Sequence, residues 1–199
     1  MQKCMEIDLK NDRVLSVFLN LVSLLIAAAM LVPVCLNGSF ALSKFYADIL
    51  DGRVSAAQSL IQALAIIALV VCHEAIHGGF MKLFGAPRLN CGISIKNAYM
   101  GCDCFFSKNR YICITLAPCV ILSGVLLTVF FCALKEWAWF VYLLLSLNIA
   151  GATGDIYVFR KVCGLPAGAM IMDTGLKAVA YIENADEEEG GFKHRLMKN

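Results

Sequence analysis

Residues 57–84 read AQSLIQALAIIALVVCHEAIHGGFMKLF, an apolar run that groups three ionisable side chains within five positions. These side chains are His73, Glu74 and His77, and the run is long enough to cross a membrane as a helix. On a helix, residues four positions apart are separated by about 6 Å along the axis and by about 40° around it. Both imidazoles can therefore reach one metal ion, and the carboxylate of Glu74 lies within the same arc.

The spacing is the His-Glu-x-x-His pattern of many zinc metallopeptidases, in which two histidines bind the metal and the glutamate takes a proton from water. A strongly polar group near the centre of a bilayer costs about 2.5 to 3.5 kcal/mol, and a divalent cation compensates three such groups at once. The alternative, two histidines paired with backbone carbonyls beside a protonated glutamate, leaves their clustering unexplained. We therefore predict one Zn²⁺ bound by His73 and His77, with Glu74 as the catalytic base.

The composition indicates an integral membrane protein. Hydrophobic residues make up 60% of the chain, charged residues 16%, and the mean hydropathy is +0.73, whereas a soluble domain is about 45–50% apolar. The net charge of +2, without a basic run interleaved with aromatic residues, excludes a nucleic-acid-binding protein. We expect the partners to be membrane lipid and a transmembrane or membrane-proximal protein substrate.

Four long stretches with few or no charges predict an α-helical membrane protein with four transmembrane helices, at about residues 14–36, 57–84, 111–134 and 137–159. Pro118 lies inside the third stretch, where it is expected to free a backbone carbonyl one turn earlier and to kink the helix. Between the second and third helices, residues 89–106 form two short apolar segments around Lys96-Asn97 and predict a β-hairpin.

The chain divides into a transmembrane bundle at residues 1–160 and a small extension at residues 161–199. Within the extension, residues 169–173 and 178–182 predict two short strands. The charged residues 183–199 predict a disordered tail.

The positive charges predict which ends of the helices face the cytoplasm. Three lysines and arginines precede the first helix, five lie between residues 82 and 110, and six follow Phe159, against three in the two remaining loops. Because short positive loops stay in the cytoplasm, we expect both termini and the hairpin on the cytoplasmic side.

A catalytic zinc usually takes three protein ligands and leaves one position for water, so a third ligand is required. His194 is the only other histidine and lies in the charged tail, which leaves a carboxylate or a thiolate. Asp155 is the only acidic residue besides Glu74 within a predicted helix. Asp155 is expected to lie about 7.5 Å from the cytoplasmic end of its helix. This depth is close to the depth of about 10 Å expected for His77 in the second helix. The alternative for Asp155 is a carboxylate at a helix end, paired with Arg160 or Lys161.

Cys91, Cys102 and Cys104 suggest a second metal site on the predicted hairpin, through a Cys-x-Cys pair and a third thiol. A fourth ligand is missing, and the simpler interpretation is that these are strand cysteines whose side chains point to alternate faces. Farther along, Asp173-Thr174-Gly175 is typical of a turn rather than of a site.

Several motifs occur in order along the chain: His73-Glu74-Ala75-Ile76-His77-Gly78 with Phe84-Gly85, Ala117-Pro118, Asn148 to Gly154-Asp155, and Asp173-Thr174-Gly175. The combination, over about residues 60–183, resembles the zincin peptidases, a family of small bacterial membrane proteins similar in pattern to the site-2 intramembrane metalloproteases. The resemblance implies that Asp155 is the third metal ligand, in the place of the aspartate of the site-2 Asn-x-x-Pro-x-x-x-x-Asp-Gly segment. The chain departs from that segment because no proline follows Asn148 and because Ile156 follows the aspartate.

The motif and the resemblance predict a zinc-dependent intramembrane or membrane-embedded peptidase, a multi-pass protein of the bacterial cytoplasmic membrane. Its substrate is expected to be a membrane or membrane-proximal protein, and the hairpin either offers a sheet edge to that substrate or caps the site. Two other classes stay open: a metal-binding membrane protein without hydrolysis, and a structural or immunity-type subunit with an inert motif. Glu74 favours the enzyme, because metal binding alone needs no base.

Overall fold

The computed structural model describes residues 2–8, 11–36, 55–93, 98–132, 135–175 and 177–182. This part of the chain is mostly helical, with one small antiparallel sheet. In chain order its elements are β1 (Gln2–Asp8), α1 (Arg13–Leu36), α2 (Ala56–Leu83), β2 (Asn90–Ile93), β3 (Ala98–Ser107), α3 (Lys108–Cys132), α4 (Lys135–Gly151), α5 (Thr153–Cys163), β4 (Met170–Asp173) and β5 (Lys177–Ile182).

The prediction of four long apolar helices is confirmed. Among the described residues, four helical stretches are long and apolar enough to cross a membrane: Arg13–Pro33, Ala56–Leu83, Lys108–Cys132 and Trp137–Cys163. In the most apolar 18-residue segment of α2, no residue is buried by the rest of the described chain. In the corresponding segment of the last stretch, half of the residues are buried. The last stretch therefore packs inside the helical bundle, and α2 presents much of its surface outward.

The predicted fourth helix, residues 137–159, is not continuous, because the chain leaves the helical path at Ala152 and divides it into α4 and α5. The local sequence explains the break. Gly151 precedes it, and glycine costs about 0.5–1 kcal/mol relative to alanine inside a helix. The hydroxyl of Thr153 then donates to the carbonyl of Ala150 at 2.7 Å, a side-chain bond that competes with the regular helical pattern. As a result α5 begins as a new helix within the last apolar stretch.

The five strands form one antiparallel sheet in the order β1-β5-β4-β3-β2. The predicted hairpin is present as β2 and β3, with Asn90 opposite Gly101, while its predicted turn at Lys96-Asn97 lies outside the described residues. The two strands expected beyond residue 160 are present as β4 and β5. The polar residues 1–13 give no strand signal, yet β1 forms there and pairs with β5 along its length.

The sheet thus joins strands from the first eight residues, from the hairpin and from the segment after α5. The division of the chain at residue 160 stays a prediction, and the predicted tail at 183–199 lies outside the described residues.

A shared hydrophobic core attaches the sheet to one end of the helices. The buried residues of this core come from α2, α3, α5 and all strands except β2, and include Ile7, Met81, Phe106, Ile114, Val158, Val162, Ile171 and Ala180. Each large side chain that is fully buried there stabilises the fold by about 1.5–3 kcal/mol. The sheet therefore has a defined position over the helix ends, and the turn between β4 and β5 is held close to α3.

The contact between β3 and the turn after β4 depends on a glycine. A Cβ at Gly101 would lie only 2.1 Å from the backbone carbon of Thr174, so any larger residue would push the two segments apart. Gly175 in the same turn has φ +90°, a conformation that favours glycine. Both glycines allow the turn to lie directly against β3.

Candidate metal centre

The two histidines of the metal motif lie one turn apart on α2. Their ring centroids are 5.1 Å apart with an interplanar angle of 70°. Their side chains are 14% exposed for His73 and 12% for His77, so both rings face the interior of the protein. The apolar helix therefore turns its two imidazoles away from its outward surface.

Asp155 meets both imidazoles from another helix. Its Oδ2 atom is 3.0 Å from Nε2 of His73, and its Oδ1 atom is 3.5 Å from Nε2 of His77. The carboxylate stands in the first turn of α5, directly after the break at Ala152. The alternative pairing with Arg160 or Lys161 is not what the structure has, because the contacts of this carboxylate are with the two rings.

The other ring nitrogen of His77 is held by a backbone carbonyl. Its Nδ1 atom is 2.9 Å from the carbonyl oxygen of Ile114. In a regular helix that oxygen would accept from the N–H four residues later, but the residue there is Pro118, which has none. The carbonyl that the proline was expected to free is therefore the one that orients His77.

The other ring nitrogen of His73 faces a buried amide. Its Nδ1 atom is 3.5 Å from Oδ1 of Asn148, a residue that is 3% exposed. The Nδ2 group of Asn148 donates to Oγ of Ser123 at 3.0 Å and to the carbonyl of Cys119 at 3.4 Å. Both bonds use the amide nitrogen, so the amide oxygen is directed at the imidazole.

The donor set suits zinc. An oxygen at each Nδ1 favours the tautomer whose hydrogen is on Nδ1, which leaves the Nε2 lone pair of each ring for a metal. The ligand atoms of His73, His77 and Asp155 all lie within 4.8 Å of one another. The separations of 3.0 and 3.5 Å bracket the roughly 3.3 Å edge of a tetrahedron with bonds of about 2.0 Å, the geometry that zinc takes with nitrogen and oxygen ligands. These residues could hold one zinc ion, and their role as ligands stays a prediction.

Glu74 lines a cavity of about 220 Å³ together with the three candidate ligands. The cavity lies between the helix ends and the sheet. Its wall also includes residues from β1, β3, α3, α5, β4 and β5, among them Ile7, Tyr99, Met100, Tyr111, Thr115, Val158, Asp173 and Lys177. The residue predicted to be the base therefore lines the same cavity as the predicted ligands.

The cavity also contains a second polar pair, which is not predicted from the sequence. The hydroxyl of Tyr111, at the start of α3, donates to Oδ2 of Asp173 at 2.6 Å, and the N–H of Gly175 donates to Oδ1 at 2.7 Å. Burial raises the pKa of Asp173 above its ordinary value of 3.8, although the two hydrogen bonds lower it in part. The motif at 173–175 was interpreted as a turn, and it does form one, but its aspartate points into the cavity. Helical spacing could have indicated Tyr111 as a residue near the site, since Tyr111 and Ile114 lie on the same face of α3 as Pro118.

The three cysteines of the hairpin do not form a shared site. The sulfur atoms of Cys102 and Cys104 contact each other on β3, whereas Cys91 is a free, exposed thiol. The remaining histidine, His194, lies outside the described residues.

Comparisons with known proteins identify a family for the chain. The family described as "Putative zincin peptidase" matches residues 66–170, just over half of the chain. A protein of Pyrococcus woesei, named "Uncharacterized 24.7 kDa protein in gap 5'region", is 29% identical over 117 residues, which are 56% of this chain and 50% of that protein. The chain thus matches about half the length of this relative. No solved structure matches the chain.

Proposed function

The chain belongs to this zincin peptidase family, and from that premise we propose that it is a zinc-dependent peptidase embedded in a membrane. Its substrate is a peptide bond of a membrane or membrane-proximal protein. One observation supports the proposal above all: two imidazoles from α2 converge on a carboxylate from α5, and each has its second nitrogen held by an oxygen. Such outer partners are typical of histidines that bind a metal.

In this proposal His73, His77 and Asp155 bind one zinc ion, as the His-Glu-x-x-His pattern and the site-2 resemblance imply. When bound, zinc lowers the pKa of a water molecule and polarises a carbonyl group. Glu74 accepts a proton from the attacking water, whose oxygen forms a bond to the peptide carbonyl carbon. The carbon–nitrogen bond then breaks, and Glu74 returns the proton to the leaving amine. One water and one peptide bond thus give a carboxylic acid and an amine, and transfer of the remaining water proton between them leaves a carboxylate and an ammonium group.

The proposal places the chain in the bacterial cytoplasmic membrane as a multi-pass protein. Support comes from the four long apolar helices and from the outward surface of α2, none of whose most apolar window is buried by the described chain. The excess of lysine and arginine before the first helix, at 82–110 and after Phe159 argues for a cytoplasmic sheet and cytoplasmic termini. The cavity then lies at the cytoplasmic end of the helices, within reach of water.

We further propose that substrates bind in an extended form along the hairpin. A helical segment hides its carbonyls, so cleavage requires local unwinding into a strand. Support for the binding place comes from the sheet order, in which β2 is an edge strand, and an edge strand can pair with an added peptide. Leu89 and Met100 pack closely on Gly78, only one residue after His77, so the hairpin lies next to the metal motif.

Elemental analysis of the purified full-length protein tests the metal part of the proposal. We expect stoichiometric zinc in the wild type and a strong loss of zinc in His73→Ala and in Asp155→Ala. Glu74→Gln should retain zinc, because Glu74 is not a ligand. A wild type without bound metal would leave only the structural or immunity-type class.

Hydrolysis is tested separately with a library of fluorogenic apolar peptides in detergent. We expect Glu74→Gln to lower kcat by about 10²–10⁴-fold relative to the wild type, the usual contribution of an acid–base residue. Normal cleavage by Glu74→Gln would rule out the assigned base. Zinc binding without any cleavage by the wild type would instead favour a metal-binding protein.

A further inference from the structure

Tyr111 and Asp173 form a polar pair in the wall of the cavity that contains the candidate ligands. Tyr111 is 2% exposed, and its hydroxyl lies 2.6 Å from Oδ2 of Asp173. Neither residue is needed to hold the metal or to accept the proton of the attacking water. A buried hydroxyl beside a reaction centre is a suitable donor to an oxygen that gains negative charge.

We propose that Tyr111 is a second catalytic residue of the proposed peptidase, whose hydroxyl donates a hydrogen bond to the carbonyl oxygen of the cleaved peptide bond. Asp173 is its positioning residue. The inference rests on the proposed function, because it assigns a role in the same hydrolysis. No proton is transferred in this role: the O–H bond of Tyr111 stays intact while the carbonyl oxygen becomes an oxyanion and then returns to a carbonyl.

Among the described residues of the cavity wall, two other side-chain donors are bonded elsewhere, and the ring of a third lies against the hairpin. Thr115 donates its hydroxyl to the carbonyl of Tyr111 at 2.9 Å. Lys177 pairs with the carboxylate of Glu6 at 2.7 Å. The hydroxyl of Tyr99 lies beside Gly92 of the hairpin. Tyr111 also has a partner, Asp173, but that partner lies in the same cavity wall, so protonation of Asp173 can release the phenol hydrogen to a substrate.

Asp173 can exchange hydrogen-bond roles with Tyr111. Burial raises the pKa of Asp173, and the charges facing it are His77 and Glu74 on α2 and Asp155 on α5. When protonated, Asp173 can donate to the phenol oxygen while its other oxygen still accepts from the N–H of Gly175. The phenol hydrogen is then free for the substrate. A neutral carboxyl group that supports a donor in this way occurs where an apolar site disfavours its charge.

The main test is Tyr111→Phe in the zinc-loaded full-length protein, with the peptide of the library that the wild type cleaves fastest. We expect kcat to fall by about 10²–10³-fold, the usual loss for one oxyanion donor, with little change in KM. The second readout is the Kd of a phosphinic isostere of the same peptide, whose tetrahedral oxygens imitate the oxyanion. We expect Tyr111→Phe to weaken this binding by about 10-fold or more, since such analogues bind through transition-state contacts.

Tyr142→Phe is the matched control. The hydroxyl of Tyr142 donates to the carbonyl of Met30 at 2.6 Å, outside the cavity wall, so this variant also loses one hydrogen bond of a tyrosine. We expect its kcat and its Kd for the phosphinic peptide to match the wild type. Zinc content and Tm are measured for every variant, so that a loss of structure is recognised.

Asp173 supplies the second pair of variants. Asp173→Asn imitates the neutral carboxyl, because its amide can donate to the phenol while its oxygen accepts from Gly175. Asp173→Ala cannot, so we expect the Asn variant to retain at least about 10 times the kcat of the Ala variant. If Tyr111→Phe does not fold, this comparison decides the question.

Three results would overturn the inference: a zinc-loaded Tyr111→Phe with wild-type kcat and phosphinic-peptide affinity, an equal loss in Tyr142→Phe, or equal activity of the two Asp173 variants. A wild type that cleaves no peptide of the library would instead overturn the proposed function, and the inference with it.

Discussion

Each histidine of the candidate centre is held at both ring nitrogens. One nitrogen faces Asp155, and the other faces the carbonyl of Ile114 for His77 or the amide oxygen of Asn148 for His73. A ring held in this way keeps its tautomer and its direction before a metal arrives. The side chains of the site are therefore arranged for one ion.

Asn148→Ala tests the contact between the amide oxygen of Asn148 and Nδ1 of His73. Removing the amide oxygen leaves the Nδ1 group of a buried ring without its acceptor, so we expect zinc affinity to fall by about 10–100-fold. The measurement is competition for zinc with a chelating dye. Ser146→Ala is the matched control, because Ser146 is a buried polar residue of the same helix that bonds the carbonyl of Tyr142. Equal zinc affinity in Asn148→Ala and wild type would contradict the assigned role.

The raised pKa of Asp173 predicts a pH-dependent stability. In the unfolded chain this carboxyl ionises near its ordinary value of 3.8, but in the folded protein it keeps its proton to a higher pH. Folding therefore takes up a proton between the two values, and the stability from this group is lost as pH rises through the folded pKa. Asp173→Asn cannot ionise, so its Tm minus that of the wild type should increase with pH above about 4 and then level off. A Tm difference that is constant with pH would contradict this prediction.

Irregularities in two helices provide contacts to the candidate ligands that regular helices would not provide. Pro118 leaves the carbonyl of Ile114 without its helical donor, and the break at Ala152 begins a new helix whose first turn contains Asp155. Negative side chains are favoured in a first turn because the peptide dipoles point their positive ends there. Both irregularities lie next to the candidate ligands, and each contributes one contact to them.

Pro118→Ala tests the element that orients His77. Alanine restores an N–H that can bond the carbonyl of Ile114, and this N–H competes with Nδ1 of His77 for the same oxygen. We expect zinc affinity to fall by about 10-fold or more while the helix is as stable or more stable. Zinc competition and Tm are the measurements. Pro33→Ala in α1 is the control, since α1 contributes no residue to the cavity wall; an equal change in both variants would contradict the argument.

In the whole molecule, the helices and the sheet enclose the cavity together. The helices contribute the candidate ligands and Glu74, and the sheet contributes Asp173, Lys177 and, from the hairpin strand β3, Met100. The sheet is assembled from distant parts of the chain, since β1 pairs with β5 about 175 residues later. Ile7 of β1 and Ala178 of β5 both line the cavity, so its wall is complete only when the first and last described strands have paired.

The proposed orientation predicts opposite labelling of two natural cysteines. Cys91 is exposed on β2, and Cys132 is exposed at the far end of α3, about 36 Å from the start of that helix beside the sheet. In single-cysteine variants, we expect a membrane-impermeant maleimide to label Cys132 in right-side-out vesicles and Cys91 in inside-out vesicles. Labelling of both cysteines from one side would contradict the transmembrane arrangement.

The sequence by itself determined the helical class, the apolar helices, the hairpin and the presence of two histidines on one helix face. These features depend on hydrophobic periods and on residues only a few positions apart, which local geometry relates directly. Pro118 was also informative. Because proline has no backbone N–H, the carbonyl four residues earlier lacks its helical donor, whatever the position of the helix in the fold.

Only the tertiary structure decided which residues contact the two histidines and the free carbonyl. The pairing of Ile114 with His77, the contact of Asp155 with both rings and the pair of Tyr111 with Asp173 each join elements that are far apart in the chain. The strand at residues 2–8 is a similar case, since a short polar strand becomes stable only by pairing with a partner strand. Such contacts depend on how the helices and the sheet pack, and no local pattern in one chain specifies that packing.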